Sequence, residues 1–317
     1  AIEHFRKVIE LRPHHPHAYN NLGATLIDIG EYQEAKSKLK KALELQPDYP
    51  EAYNNLGNAH KEMEEYNEAI PIYEKAIELN PQYYKAYNNL GVILGKNGEY
   101  KEAIESYNKA VLIKPDFAEA YNNIGIALKE QSKIDEAIEA YNKALSLKPD
   151  YAEVYYNTGV ALKDQGKLEE AIKSYNKALS LKPDFVEAYN NMGIALRDQG
   201  KLDEAIEAYN KALSIKPDYA EAYNNMGVEL SGVIFKKPNK GLQHTISSLL
   251  DKKLHARPAD IAVAAISLLK FEPSLQKQLK SIRSVELIHN PLEIISDLDK
   301  LPLLRNLMSV CPLPDLE

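Results

Sequence analysis

Apolar residues recur along most of this chain at the spacing of paired helices. In residues 152–185, Tyr155, Gly159 and Leu162 are three to four residues apart, which predicts a first helix with one apolar face. Gly166 then stands where a helix C-terminus favours a left-handed residue. Leu168, Ala171, Ile172, Tyr175 and Leu179 give a second helix the same spacing, and Pro183 closes it. The unit is helix, turn, helix, and its neighbours copy it. Its tyrosine recurs as Tyr19, Tyr53, Tyr87, Tyr121, Tyr155, Tyr189 and Tyr223, always 34 residues apart. Gly23, Gly57, Gly91, Gly125, Gly159, Gly193 and Gly227 keep the same step. A fixed period of this length predicts a solenoid, in which each unit buries its apolar face only against its neighbours.

The third unit spells Tyr87, Leu90-Gly91, Leu94, Ala103, Tyr107, Ala110 and Pro115. That pattern resembles the tetratricopeptide repeat (TPR) family. The resemblance implies an all-α fold, a right-handed TPR superhelix, over residues 1–231. It comprises a partial repeat, six full repeats and the first helix of a seventh. Residues 1–15 read as the second helix of the partial unit. The turn glycine recurs as Gly30, Gly98, Gly166 and Gly200 but is replaced by Glu64 and Ser132, so those two turns are expected to be less sharply capped. Pro71, early in a second helix, predicts a mild bend at most.

After Leu230 the repeat stops, and Leu and Ile replace Tyr. Residues 232–317 read as a region of short helices near 240–253, 259–271, 274–283, 291–299 and 302–310, divided by prolines. Leu242, Ile246, Leu249 and Leu250 form one apolar face, and Ile261, Ala265, Leu268 and Leu269 another. These faces need burial, either as a cap on the open end of the repeats or against something beyond Glu317. Segments such as Ile266–Pro273 and Leu307–Pro314 resemble the connector that follows TPR arrays in some bacterial methyltransferase proteins. The implied alternative function is a substrate-recruiting arm of a larger enzyme, a methyltransferase or glycosyltransferase.

Charge narrows the partners. Of the formal −7, the chain from Val228 onward carries 12 Lys and Arg against 10 Asp and Glu, leaving 27 against 36 in the repeats. An acidic solenoid lacks the basic stripe that phosphate backbones require, which argues against nucleic acid. The most apolar run, Ile261–Leu269, is far shorter than the roughly 20 residues of a membrane span. A soluble protein is expected. The single cysteine, Cys311, cannot form an internal disulfide, which fits a reducing, cytoplasmic setting. His14, His15 and His17 lie in a connection without an acidic or thiol partner and read as solvated side chains rather than a metal site. No phosphate-cradling glycine loop, metal-ligand spacing or nucleophile elbow occurs, so neither a catalytic site nor a cofactor is expected.

The candidate chemistry is a row of asparagines. Asn21, Asn55, Asn89, Asn123, Asn157, Asn191 and Asn225 hold one position in seven first helices. Asn costs about 0.5 kcal/mol against Ala inside a helix. At 100° per residue this position lies about 160° from the apolar stripe and is expected to face away from the buried seam. By the resemblance, first helices line a concave groove. The superhelix of O-linked N-acetylglucosamine transferases looks similar, with groove asparagines holding extended peptide backbone. An amide offers both a donor and an acceptor to any peptide group.

Val92, Ile126, Val160, Ile194 and Val228 stand one turn on, as apolar neighbours of the ladder. Asn20, Asn54, Asn88, Asn122, Asn190 and Asn224 form a fainter series, interrupted by Tyr156. The bland alternative is that duplication copied the asparagines, in which case alanine at four of them should slightly stabilise the solenoid. The carboxylate clamp known in the family is disfavoured. Its positions hold Glu51, Glu119, Glu153, Glu187 and Glu221, with Lys85 the only cation. The expected function is a non-catalytic scaffold for protein interaction that binds extended polypeptide in its groove. Self-association through a solenoid end is a structural alternative.

Overall fold

The computed structural model describes residues 1–230, 246–247, 258–269, 273, 275–276, 301–304 and 306. Every regular element among them is a helix. Two compact units arise, residues 1–166 and 167–317. The first holds α1 (Ile2–Leu11) and four helix pairs. These are α2 (Pro16–Asp28) with α3 (Tyr32–Leu45), α4 (Pro50–Glu62) with α5 (Tyr66–Leu79), α6 (Tyr84–Lys96) with α7 (Tyr100–Ile113), and α8 (Ala118–Glu130) with α9 (Ile134–Leu147). It ends with α10 (Ala152–Asp164). The second unit holds α11 (Leu168–Leu181), α12 (Val186–Asp198), α13 (Leu202–Ile215), α14 (Ala220–Leu230) and α15 (Pro258–Leu269). Within each unit every helix packs on the next in sequence.

Small residues let the pairs close. Ala35, Ala69, Ala103 and Ala137, early in the second helices, have no exposed surface, and neither do Ala42, Ala76, Ala110 and Ala144 one to two turns later. Between them a large side chain, Leu39, Tyr73, Tyr107 or Tyr141, enters the seam against the glycine of its own first helix. A methyl group on Gly125 would lie 2.4 Å from the Tyr141 ring, and one on Gly57 2.6 Å from Tyr73. Such approaches are far inside van der Waals contact, so glycine is required for helix spacing and not for backbone freedom.

The turn within each pair is a Schellman motif. In the first pair Glu31 N–H donates to Leu26 C=O at 2.9 Å and Gly30 N–H to Ile27 C=O at 3.0 Å. Gly30, Gly98, Gly166 and Gly200 have φ of +74 to +82°. Glu64 and Ser132 were expected to weaken their turns, yet they adopt φ of +59° and +61°. Their motifs are complete: Glu65 N–H reaches His60 C=O and Lys133 N–H reaches Leu128 C=O, both at 2.9 Å. Packing on both sides imposes the left-handed conformation, and the non-glycine residue bears the cost. Pro71 leaves α5 continuous.

The links between repeats carry a device that periodicity did not announce. Lys148 Nζ lies 4.3 Å from the Tyr151 ring centre, Lys182 4.6 Å from Phe185 and Lys216 5.5 Å from Tyr219. Each Lys-Pro-Asp-aromatic link is thus clipped by a cation–π contact. In the first unit Glu65 also ties neighbouring pairs, receiving Lys36 Nζ at 2.6 Å and standing 2.6 Å from His60 Nδ1. Desolvation, then the Lys36 charge, holds the His60 imidazole below its ordinary range.

Beyond the repeats, the predicted helix at 259–271 is found as α15. The other predicted tail helices lie wholly or largely outside the described residues. Ile246, Ala265, Leu268, Leu269 and Leu303 share one core with Ala222, Tyr223 and Met226 of α14. Buried Asn306 donates to Ser247 C=O and Oγ, both at 3.0 Å. These described parts of the tail pack against α14, the first helix of the seventh repeat.

Replacing Ser132 by Gly should raise stability by about 1 kcal/mol, because the left-handed residue would then cost nothing sterically. Glu64→Gly should do the same. Chemical denaturation of each variant measures it, and a loss of stability in either would contradict the packing-imposed turn.

Candidate functional site

One stripe runs down each first helix at the spacing i, i+4, i+7, i+11, which confines it to a narrow angular band. On α8 it reads Glu119, Asn123, Ile126, Glu130, and on α10 Glu153, Asn157, Val160, Asp164. The carboxylates Glu51, Glu119, Glu153, Glu187 and Glu221 are exposed. Val92, Val160 and Ile194 are half-buried, while Ile126 and Val228 are open to solvent. Asn55, Asn89, Asn123, Asn157, Asn191 and Asn225 are half-buried and Asn21 is exposed.

The ladder does not face away from the seam as the helical angle suggests. Five of these amides, those of Asn55, Asn89, Asn123, Asn157 and Asn225, reach back to the preceding repeat. Asn55 Nδ2 donates to Asn20 Oδ1 at 2.9 Å, Asn89 to Asn54 at 2.9 Å, Asn123 to Asn88 at 3.0 Å and Asn157 to Asn122 at 2.9 Å. In the second unit Asn225 donates to Asn190 at 2.9 Å. The fainter asparagine series is therefore the more buried one, with Asn54, Asn88, Asn122 and Asn190 only 2–7% exposed, although Asn224 is exposed.

Chemistry fixes the orientation of the pair. Asn88 Nδ2 donates to Glu119 Oε1 at 3.1 Å, and an ionised carboxylate can only accept. Asn88 Oδ1 must then point to Asn123, which must present its N–H. In consequence the Asn123 and Asn157 carbonyl oxygens accept no hydrogen bond from the described residues and lie on the exposed stripe. The expectation that each amide offers its partner a donor and an acceptor alike is corrected: one donor is spent between repeats. Alanine there would not stabilise the solenoid, since it would orphan a buried acceptor at about 1–3 kcal/mol, more than helix propensity returns.

A cleft of 280 Å³ lies where α6 and α8 meet, lined by Val92, Lys96, Tyr107, Asn123, Ile126 and Glu130 among others. Lys96 is a second cation that sequence reading missed. It stands at the far end of the α6 stripe from Lys85, so Lys85 is not alone. Lys61, Lys129 and Lys163 reach the carboxylates of their neighbours Glu62, Glu130 and Asp164 at 2.9, 3.0 and 3.9 Å. Burial, and then the Glu51 charge, pushes the Tyr83 phenol up to about 12. Burial, then Glu119 and Glu153, likewise raises Tyr151. Both remain neutral donors beside the acidic rim at physiological pH.

The histidine connection is structural. His15 Nδ1 caps α2 by accepting from Ala18 N–H at 3.4 Å, and His17 Nδ1 meets Tyr49 Oη at 2.8 Å. Among the described residues no group of three or more His, Cys, Asp or Glu could hold a metal ion. Nor is any helix among them long and apolar enough to cross a membrane.

Tandem helix pairs joined by a glycine–aromatic seam, with a polar stripe on the first helices, define a helix-pair repeat protein. Tetratricopeptide-repeat models match residues 16–82 and 72–105, and TPR-repeat models match 96–132, 127–166, 159–196 and 193–229. The chain belongs to the tetratricopeptide repeat family. Among solved structures it is similar to the APC/C hetero-tetramer Cut9-Hcn1, with TM-score 0.64 and 19% identity over 71% of this chain and 45% of that chain. It thus spans less than half of that relative. PilF of Pseudomonas aeruginosa gives TM-score 0.59 and 22% identity over 65% of this chain and 94% of that one. MamA is 31% identical over 52% of this chain and 97% of its own, with TM-score 0.48. The first two likenesses show the fold. No curated protein matches the chain.

The α4 stripe carries Asn58 where later repeats carry Val92, Ile126 and Val160, and this changes the tyrosine beneath it. Tyr73 Oη donates to Asn58 Oδ1 at 2.8 Å, whereas Tyr141 Oη is buried without a hydrogen-bond partner among the described residues. Tyr73→Phe should therefore cost about 1 kcal/mol, and Tyr141→Phe should be neutral or stabilising. Equal losses in urea unfolding would refute this difference.

Proposed function

We propose that this chain is a scaffold for protein interaction that binds extended polypeptide along the stripe face of its first helices. One observation carries the reading. The cross-repeat bond holds the Asn123 and Asn157 amides by their donors and leaves both carbonyl oxygens without a hydrogen bond from the described residues, on half-buried side chains of the stripe. Backbone N–H groups of an extended peptide are the ligand such a row fits, because they recur regularly whatever the side chains. Each bond contributes about 0.5–1.5 kcal/mol net, so affinity comes from the sum and from preorganised geometry. Val92, Ile126 and Val160 add apolar contacts beside the row in the first unit, as Ile194 does in the second. Family membership supports an interaction role, and the Cut9 relative is found in a hetero-tetramer with Hcn1.

A display library of random extended peptides, panned on the full chain, tests the reading. Binders are expected, and Asn89, Asn123, Asn157 and Asn191 changed together to Ala should weaken them at least about tenfold. Because those changes also lower stability, Ile126→Ser is the parallel variant. That side chain is 38% exposed and makes no cross-repeat hydrogen bond, so its loss should weaken binding while lowering the melting temperature less than the fourfold asparagine change. Binders whose affinity is the same for all variants, or no binders, would overturn the proposal.

A further inference from the structure

The charges on the stripes do not repeat as the asparagines do. On α4, α8 and α10 both ends of the stripe are acidic: Glu51 and Glu62, Glu119 and Glu130, Glu153 and Asp164. On α6 both ends are lysine, Lys85 and Lys96. The compensating cation is also missing there. Where α4, α8 and α10 place Lys61, Lys129 and Lys163 against the second acid, α6 has Gly95. The four faces therefore carry net −1, +2, −1 and −1 in chain order.

We propose that this face reads the charge order of an extended peptide, taking cationic side chains opposite α4, α8 and α10 and an acidic one opposite α6. The inference rests on the peptide-binding reading above and specifies its partner. Two further observations support it. The cleft where α6 meets α8 has Lys96 and Glu130 in its lining together with Val92 and Ile126, so opposite charges share a single partly apolar pocket. Lys96 is also held in place, its Nζ 3.2 Å from Tyr66 Oη and 5.3 Å from that ring's centre. A positioned charge discriminates better than a mobile one, because less side-chain entropy is lost on pairing.

Helix spacing sets the register. Packed helices lie about 8–10 Å apart and an extended chain rises about 3.3 Å per residue, so one repeat corresponds to roughly three peptide residues. The partner is then an extended segment with an aliphatic residue about every third position, cationic in three registers and acidic in one. A uniformly basic segment would meet Lys85 and Lys96 with like charge. A uniformly acidic one would meet the other three faces so.

Four fluorescent peptides of about twelve residues test the proposal against the full chain by anisotropy at low salt. All carry an aliphatic residue at every third position. Two have the charge order Lys-Lys-Glu-Lys or Lys-Glu-Lys-Lys, covering both chain directions, one is all-lysine, and one is Glu-Lys-Glu-Glu. One of the first two should bind about tenfold more tightly than the all-lysine and inverted peptides, with the preference shrinking as salt rises. In a chain carrying Lys85→Glu and Lys96→Glu, the all-lysine peptide should become the tightest. Binding of comparable strength by the all-lysine or inverted peptide to the unaltered chain would overturn the charge code and leave groove binding standing. If none of the four binds and the random library also yields no binder, the peptide-binding reading itself fails.

Discussion

The pair of asparagines that bridges adjacent repeats is the interaction on which the stability and the geometry of the first-helix face depend here. It consumes a buried acceptor on one repeat and a donor on the next, so neither group is left unsatisfied in a seam where an orphan would cost about 1–3 kcal/mol. By pinning the amide it also decides which atom the exposed face presents. The acidic residue at the head of the next stripe completes the arrangement, because Glu119 holds the Asn88 amide in the one orientation that lets Asn123 donate. Architecture and chemistry share the same bonds.

That bridge forms only because first helices approach closely, and their approach is set by small residues. Alanines without exposed surface and glycines that touch the Leu39, Tyr73, Tyr107 and Tyr141 side chains fix the spacing within each pair. Between pairs, the Lys-Pro-Asp-aromatic clips fix the link. The left-handed turn is robust enough to impose itself on Glu64 and Ser132. In a solenoid such local constraints have to serve everywhere, since there is no distant core to enforce geometry.

Much of this was legible in the sequence because a repeat multiplies each signal. Period, glycine and proline placed the helices of the repeats, and the apolar spacing of Ala265, Leu268 and Leu269 announced a buried tail helix. The asparagine row was visible too, but its chemistry was not. An angular estimate on one isolated helix cannot see the neighbouring helix that receives the amide, so the donor reads as free and the buried asparagine series as secondary. The turns at Glu64 and Ser132 were misjudged for a related reason: local propensity favours glycine, and packing overrode it. Lys96 escaped notice because its place on the stripe emerges only when i+11 is followed as well as i+4.

The most direct measurement is a double-mutant cycle on Asn88 and Asn123, each changed to Ala singly and together, with unfolding free energy as the readout. The account predicts that Asn123→Ala destabilises by about 1–2 kcal/mol and that the two changes are coupled by at least about 0.5 kcal/mol. Additive changes, with Asn123→Ala neutral or stabilising as helix propensity alone demands, would contradict it.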